Sequence, residues 1–122
     1  MIRSILFFLI IGTVGIAQAQ QPVASFNDNM ELILDNSAPI SESYVIDITD
    51  MEFVSAEAAE KFFRSMTDNL VNTTVDYEAK QAIVNLSLQH VEEKGWGVDD
   101  WNAYFRTTAA RYTRMLNTFN NL

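Results

Sequence analysis

Between Tyr44 and Met66 the spacing of apolar residues changes from two to about three and a half, and that change restricts the folds open to this chain. Tyr44, Ile46 and Ile48 alternate with Val45, Asp47 and Thr49, which is the pattern of a strand with one buried face. A short loop, Asp50 to Val54, leads to Ser55, a residue suited to capping a helix N-terminus, with Glu57 in the first turn. From there Ala59, Phe62, Phe63, Met66 and Leu70 recur at helical spacing, while Glu60, Lys61 and Arg64 fall on the other side. A half-buried strand that feeds an amphipathic helix needs an apolar layer shared by both.

The flanking segments supply that layer. Met30–Asp35 reads as a strand with Met30, Leu32 and Leu34 on one face, a short helix being the other reading. Pro39 and several turn-forming side chains separate it from the Tyr44 strand. Asn72-Thr73-Thr74 breaks the helical pattern, and a hairpin is expected next. Val75 and Tyr77 face inward on its first strand, Glu78 to Gln81 form the turn, and Ala82, Val84, Leu86 and Leu88 face inward on the second. Asp99 is the expected cap of a final helix. Its apolar positions, Trp101, Tyr104, Phe105, Thr108, Ala109, Tyr112, Met115, Leu116 and Phe119, cover less than half of its circumference.

Strand, strand, helix, hairpin, helix predicts a two-layer α+β sandwich, a four-stranded antiparallel sheet with both helices on one face. Right-handed crossover puts the Ala82 strand beside the Tyr44 strand and the Val75 strand outside it. The N-terminal strand then pairs antiparallel with the free side of the Tyr44 strand.

Residues 1–19 have the parts of a secretory signal: Arg3, the apolar run Ile5–Ala17 and the small-residue pattern Ala17-Gln18-Ala19. The run is shorter than the ~20 residues a spanning helix needs. The expected organisation is a signal peptide over 1–19, a mobile lead-in over 20–29 and one domain over 30–122. The chain has no cysteine, so it has no disulfide, thiolate metal site or cysteine nucleophile. An exported cysteine-free domain is expected in a bacterial periplasm or medium rather than among disulfide-dependent eukaryotic secreted domains. With 16 acidic and 8 basic residues the net charge is -8, which opposes binding to nucleic acid and to anionic membranes. Residues 101–122 are the exception, holding Arg106, Arg111 and Arg114 and no acid.

The stretch "YVIDITDMEFVSAEAAEKFFRSM", followed by "VDYEAKQAIVNL", resembles the heavy-metal-associated domain family of copper chaperones and metal pumps. The family's strand leads into a Gly-Met-x-Cys-x-x-Cys loop and a helix, and a Val-Asp hairpin follows. On this comparison Met51 matches the family's Met, Asp50 replaces its Gly, and Phe53 and Ala56 stand where the two metal-binding cysteines would be. The resemblance implies the family's ferredoxin-like fold, with the N-terminal strand in the place of the family's last strand, and without its thiolate site.

Few residues are equipped for chemistry. The one histidine, His90, follows an apolar strand, and a lone histidine is a poor basis for catalysis. Met51 and His90 are candidate soft ligands for Cu(I), and Asp47, Asp50 and Glu52 are a candidate oxygen-ligand group for a hard cation, although no calcium-loop motif accompanies them. Gly95-Trp96-Gly97 with Trp101 suits either a sugar or peptide platform or a turn that closes the core. The open sheet face should carry Ile33, Val45, Asp47, Thr49, Asp76, Ile83, Asn85 and Ser87, without the aromatic rings that RNA-binding sheets use. The expectation is an exported, non-catalytic binding module with no cofactor. It meets a protein partner or another copy of itself through the open face or a free sheet edge. A metal-handling domain with non-cysteine ligands is the alternative.

Overall fold

The computed structural model describes residues 22–121, so the signal-peptide assignment lies outside the described residues. The chain forms an α+β fold in which two main helices pack on a five-stranded mixed sheet. In chain order the strands are β1 (Val23–Phe26), β2 (Leu32–Leu34), β3 (Ser43–Asp47), β4 (Val71–Asp76) and β5 (Gln81–Leu86). Helix α1 (Ala56–Met66) joins β3 to β4, and helix α2 (Val98–Asn120) ends the described chain. The sheet order is β2-β1-β3-β5-β4.

This overturns the four-stranded antiparallel sheet. The extra strand is β1, which lies within the stretch assigned to a mobile lead-in and runs parallel to β3, with Val23 opposite Val45. β2, the expected N-terminal strand, is displaced outward and pairs antiparallel with β1. The cause is a tight turn at Asn27. Its backbone N–H donates to the Glu31 carbonyl and its carbonyl accepts from the Met30 N–H, both at 3.0 Å. Its side-chain oxygen also accepts from the N–H groups of Asn29 and Glu31. Met30 takes a left-handed conformation (φ 62°), which folds the chain back on itself. The order β3-β5-β4 agrees with the crossover argument.

Local capping explains where the helices start. The Ser55 hydroxyl accepts from the Ala58 N–H at 3.0 Å, as expected. α2 starts after Gly97 rather than Asp99, because the Asp100 carboxylate accepts the Gly97 N–H at 3.0 Å and closes the first turn two residues earlier. α1 stops at Met66, so Leu70 lies beyond the helix, in the turn into β4. Asn72-Thr73-Thr74 is part of β4, and the hairpin turn follows at Tyr77–Lys80. Thr73 is buried in that strand because its hydroxyl donates to the Phe63 carbonyl.

One face of every strand is buried under the helices: Ala24, Leu32, Leu34, Tyr44, Ile46, Val71, Ala82, Val84 and Leu86 meet Phe62, Phe63, Met66, Trp101, Phe105 and Tyr112. Phe62 is the hub. Its ring centroid lies 5.0 Å from Phe63, 5.5 Å from Phe53, 6.0 Å from Phe26 and 6.3 Å from Tyr112. The rings meet at tilted or edge-to-face angles, the favoured geometry for aromatic pairs. The two helices run antiparallel: Asn120 near the end of α2 accepts from the Val54 N–H at 3.0 Å, and Tyr104 near its start reaches Asp68 beyond the end of α1.

Candidate functional site

The loop between β3 and α1, the expected position of any metal chemistry, is occupied by its own contacts. The Asp47 carboxylate accepts from the Thr49 N–H at 2.9 Å and the Thr49 hydroxyl at 2.6 Å, and these bonds hold its pKa below the ordinary carboxylate value. Thr49–Met51 make a single 3-10 turn that ends on a left-handed Glu52 (φ 56°). Met51 is half-buried against the core margin, and Asp50 and Glu52 are exposed. Phe53, set at a ligand position by the family resemblance, is buried between Phe62 and Phe63, whereas Ala56 is exposed at the first turn of α1. The two residues therefore do not face a common site.

The structure does not bring Met51 and His90 together. Asp47 pairs with Gln81 at one end of β5, and β5 runs away from there to Leu86 before the chain reaches His90. Strand rise places the two ends of β5 about 17 Å apart, far beyond any shared coordination sphere. Among the described residues no three His, Asp or Glu side chains are grouped as a metal site. His90 is exposed on a 3-10 stretch, Leu88–Lys94, beside the Gly95 turn. Trp96 is half-buried with its ring edge-to-face on the fully buried Trp101, 5.1 Å between centroids, so Trp101 is core and Trp96 lies at its border.

The sheet edges are largely occupied. On the outer side of β2, Asn102 of α2 accepts from the Leu34 N–H at 2.8 Å and donates to the Leu34 carbonyl at 3.4 Å. On the outer side of β4, Asp68 accepts from the Val71 N–H at 3.0 Å, and the Thr67 hydroxyl accepts from the Thr73 N–H at 3.1 Å. The Asp68 N–H also donates to the Val71 carbonyl at 2.9 Å. These side chains and the Thr67–Asp68 backbone stand where an added strand would bond.

The face of the sheet turned away from the helices carries an unbroken apolar row. Val23 on β1 pairs with Val45 on β3, and Val45 pairs with Ile83 on β5. Val23 is 53% exposed, and Ile33, beside Ser25 on the same face, is 41% exposed. The row is flanked on one side by Asp47, Gln81 and Asp76, which are register partners, and on the other by Ser43, Asn85 and Asn72. The Ser43 hydroxyl donates to the Asn85 side-chain oxygen, which holds the polar flank in place. Asp35, directly after β2, continues its ladder by donating its N–H to the Val23 carbonyl at 3.1 Å. Its own carboxylate accepts the Ser37 N–H and is held below its ordinary pKa. No basic residue stands on β1 to β5 on this side, and Lys80 in the hairpin turn lies over the Tyr77 ring, 3.7 Å from its centroid.

The expected open-face residues Ile33, Val45, Asp47, Asp76, Ile83 and Asn85 fall on this face, Thr49 and Ser87 lie beyond the ends of β3 and β5, and Val23 is the apolar member that sequence reasoning missed, because its strand was not foreseen. Its signal was present as alternation in Val23–Phe26 before the turn-forming Asn27-Asp28-Asn29. None of the described helices is long and apolar enough to cross a membrane. Comparison with protein-family models, with curated proteins and with solved structures gave no match.

Proposed function

We propose that this protein is an exported, non-catalytic interaction module that binds a partner protein across the open face of its sheet. The partner contributes a basic extended segment with apolar residues at alternate positions. The observation that supports this reading is the apolar row Val23–Val45–Ile83, exposed at Val23 and half-buried at Val45 and Ile83, bordered by Asp35, Asp47 and Asp76 with no base on the five strands. Apolar side chains spaced by the pleat match a partner whose own side chains repeat every second residue, and the carboxylates favour lysine or arginine between them. The occupied edges make strand addition the weaker mode. The metal-handling alternative gains no support from a Met51 and a His90 at opposite ends of the sheet.

The test uses the 20–122 chain and two ten-residue peptides, one alternating lysine with valine and one alternating glutamate with valine. The lysine peptide should shift backbone amide resonances of β1, β3 and β5, with binding weakened by salt, and Ile83→Lys should reduce its affinity at least tenfold. Equal binding of the two peptides, or shifts confined to the helices, would overturn the proposal. So would salt-independent self-association that protects Val45 and Ile83.

A further inference from the structure

A cleft of about 510 Å³ opens at the opposite end of the sheet from the Met51 loop, between the α1–β4 connection, the 3-10 stretch and the first turns of α2. That is within the size range of small-molecule sites. Its apolar walls are Leu70, Val91 and the rings of Trp96 and Tyr104, whose centroids are 6.2 Å apart. Its polar lining is Asp68, Asn69, His90 and Lys94.

These polar groups are not equally free. Asp68 is committed to the fold: one carboxylate oxygen accepts the N–H groups of Leu70 and Val71 at 2.8 and 3.0 Å, and the other accepts the Tyr104 hydroxyl and the Arg111 guanidinium. His90 and Lys94 have no acidic partner among the described residues. The Lys94 ammonium is 6.0 Å from the Trp96 ring centroid, at the outer limit of a cation–π contact, so that ring does not satisfy it. The functional groups left over in the cleft are therefore the Lys94 ammonium, the His90 imidazole and the Asn69 amide, beside two aromatic rings. Arg111 matches the Asp68 charge, so Lys94 is the charge in the lining left without an opposite partner among the described residues.

We propose that this cleft binds a small organic anion, a carboxylate carried on a flat apolar body. The body lies against Trp96 and Tyr104, and the carboxylate faces Lys94 and His90. A neutral sugar would use the rings but leave the ammonium unmatched. A cation would meet Lys94 with no carboxylate free to receive it, because Asp68 is already bonded on both oxygens.

Phenylacetate, its neutral isostere phenylacetamide and methyl β-glucoside are the probes, added to the 20–122 chain. Both tryptophans of the protein border the cleft, one in its wall and one directly behind, so intrinsic fluorescence reports occupancy. Phenylacetate should quench that fluorescence and shift the amides of His90, Lys94 and Trp96. Phenylacetamide should bind at least tenfold more weakly. Lys94→Met, at an exposed position, should weaken phenylacetate about tenfold while leaving phenylacetamide unchanged. Equal affinities for the acid and the amide, preference for the glucoside, or no response to phenylacetate at 10 mM would each overturn the assignment. A shift map centred on β1, β3 and β5 would do the same and would place the anion on the sheet face instead.

Discussion

Asp68→Ala is the substitution that tests most of the architecture at once, because this carboxylate joins the α1–β4 turn to α2. Its two backbone bonds shape the turn into β4, and each is worth about 1 kcal/mol in a partly buried setting. The Tyr104 hydroxyl bond adds about 1 kcal/mol. The Arg111 pair, 3.5 Å long with both side chains partly in solvent, adds well under 1 kcal/mol. The expected loss is about 3 kcal/mol, a large share of the 5–15 kcal/mol that holds an ordinary domain. At a urea slope of about 1.5 kcal/mol/M this lowers the denaturation midpoint by about 2 M. Asp68→Asn keeps an acceptor for the turn and should lose only about 1 kcal/mol. A cycle with Tyr104→Phe should show about 1 kcal/mol of coupling, whereas one with the distant Phe53→Leu should show almost none. The reasoning is refuted if Asp68→Ala costs less than about 1 kcal/mol, if Asn is as damaging as Ala, or if the Tyr104 coupling is indistinguishable from zero.

Phe62→Ala removes the hub of the aromatic cluster and should cost 3–5 kcal/mol, about as much as a small domain can lose, with the loss read by chemical denaturation. Phe53→Cys should cost about 3 kcal/mol because the ring is buried, and Ala56→Cys within about 0.5 kcal/mol because that position is exposed. The double variant should not acquire tight Cu(I) binding, which titration would show directly. Asn102→Ala leaves the Leu34 N–H and carbonyl unmatched on the outer edge; a loss of about 1–2 kcal/mol in thermal melts and a rise in light scattering are expected. The Tyr104 hydroxyl is pushed above its ordinary pKa, first by burial and then by its bond to Asp68, and burial moves Tyr112 the same way. Both phenols thus keep their protons longer in the folded chain than in the unfolded one. Their contribution is whole below about pH 10 and is lost as pH rises from there, so the urea midpoint should fall above pH 10, less steeply in Tyr104→Phe.

Much of the helix layer was legible because its signals are local. The period of α1, the Ser55 cap, and the long stripe from Trp101 to Tyr112 each lie within a few turns of chain, and the strand alternation of β3 and β5 is equally short-ranged. The same alternation predicted which side chains of β3 and β5 would face away from the helices. Short-range pattern failed where a strand is short or its inward residue is polar. β1 has four residues, too few for a period to stand out, and Thr73 reads as a turn residue although its hydroxyl is satisfied inside the fold.

The amino-acid sequence by itself therefore determined both main helices, the strand character of β2, β3 and β5, their buried stripes, the acidic character and the absence of any thiol chemistry, since each depends on residue identity and neighbours a few positions away. Tertiary structure alone decided how the two N-terminal strands joined the sheet and which side chains share a site. Strand pairing joins residues far apart in the chain and depends on the turn at Asn27 and on where the helices leave an edge open. The pairing of Val23 with Val45 completes the exposed apolar row, and the approach of Asp68 to Tyr104 closes one wall of the cleft beside His90 and Lys94. It also set Met51 and His90 at opposite ends of the sheet, because an antiparallel strand carries the chain away from the loop it has just passed.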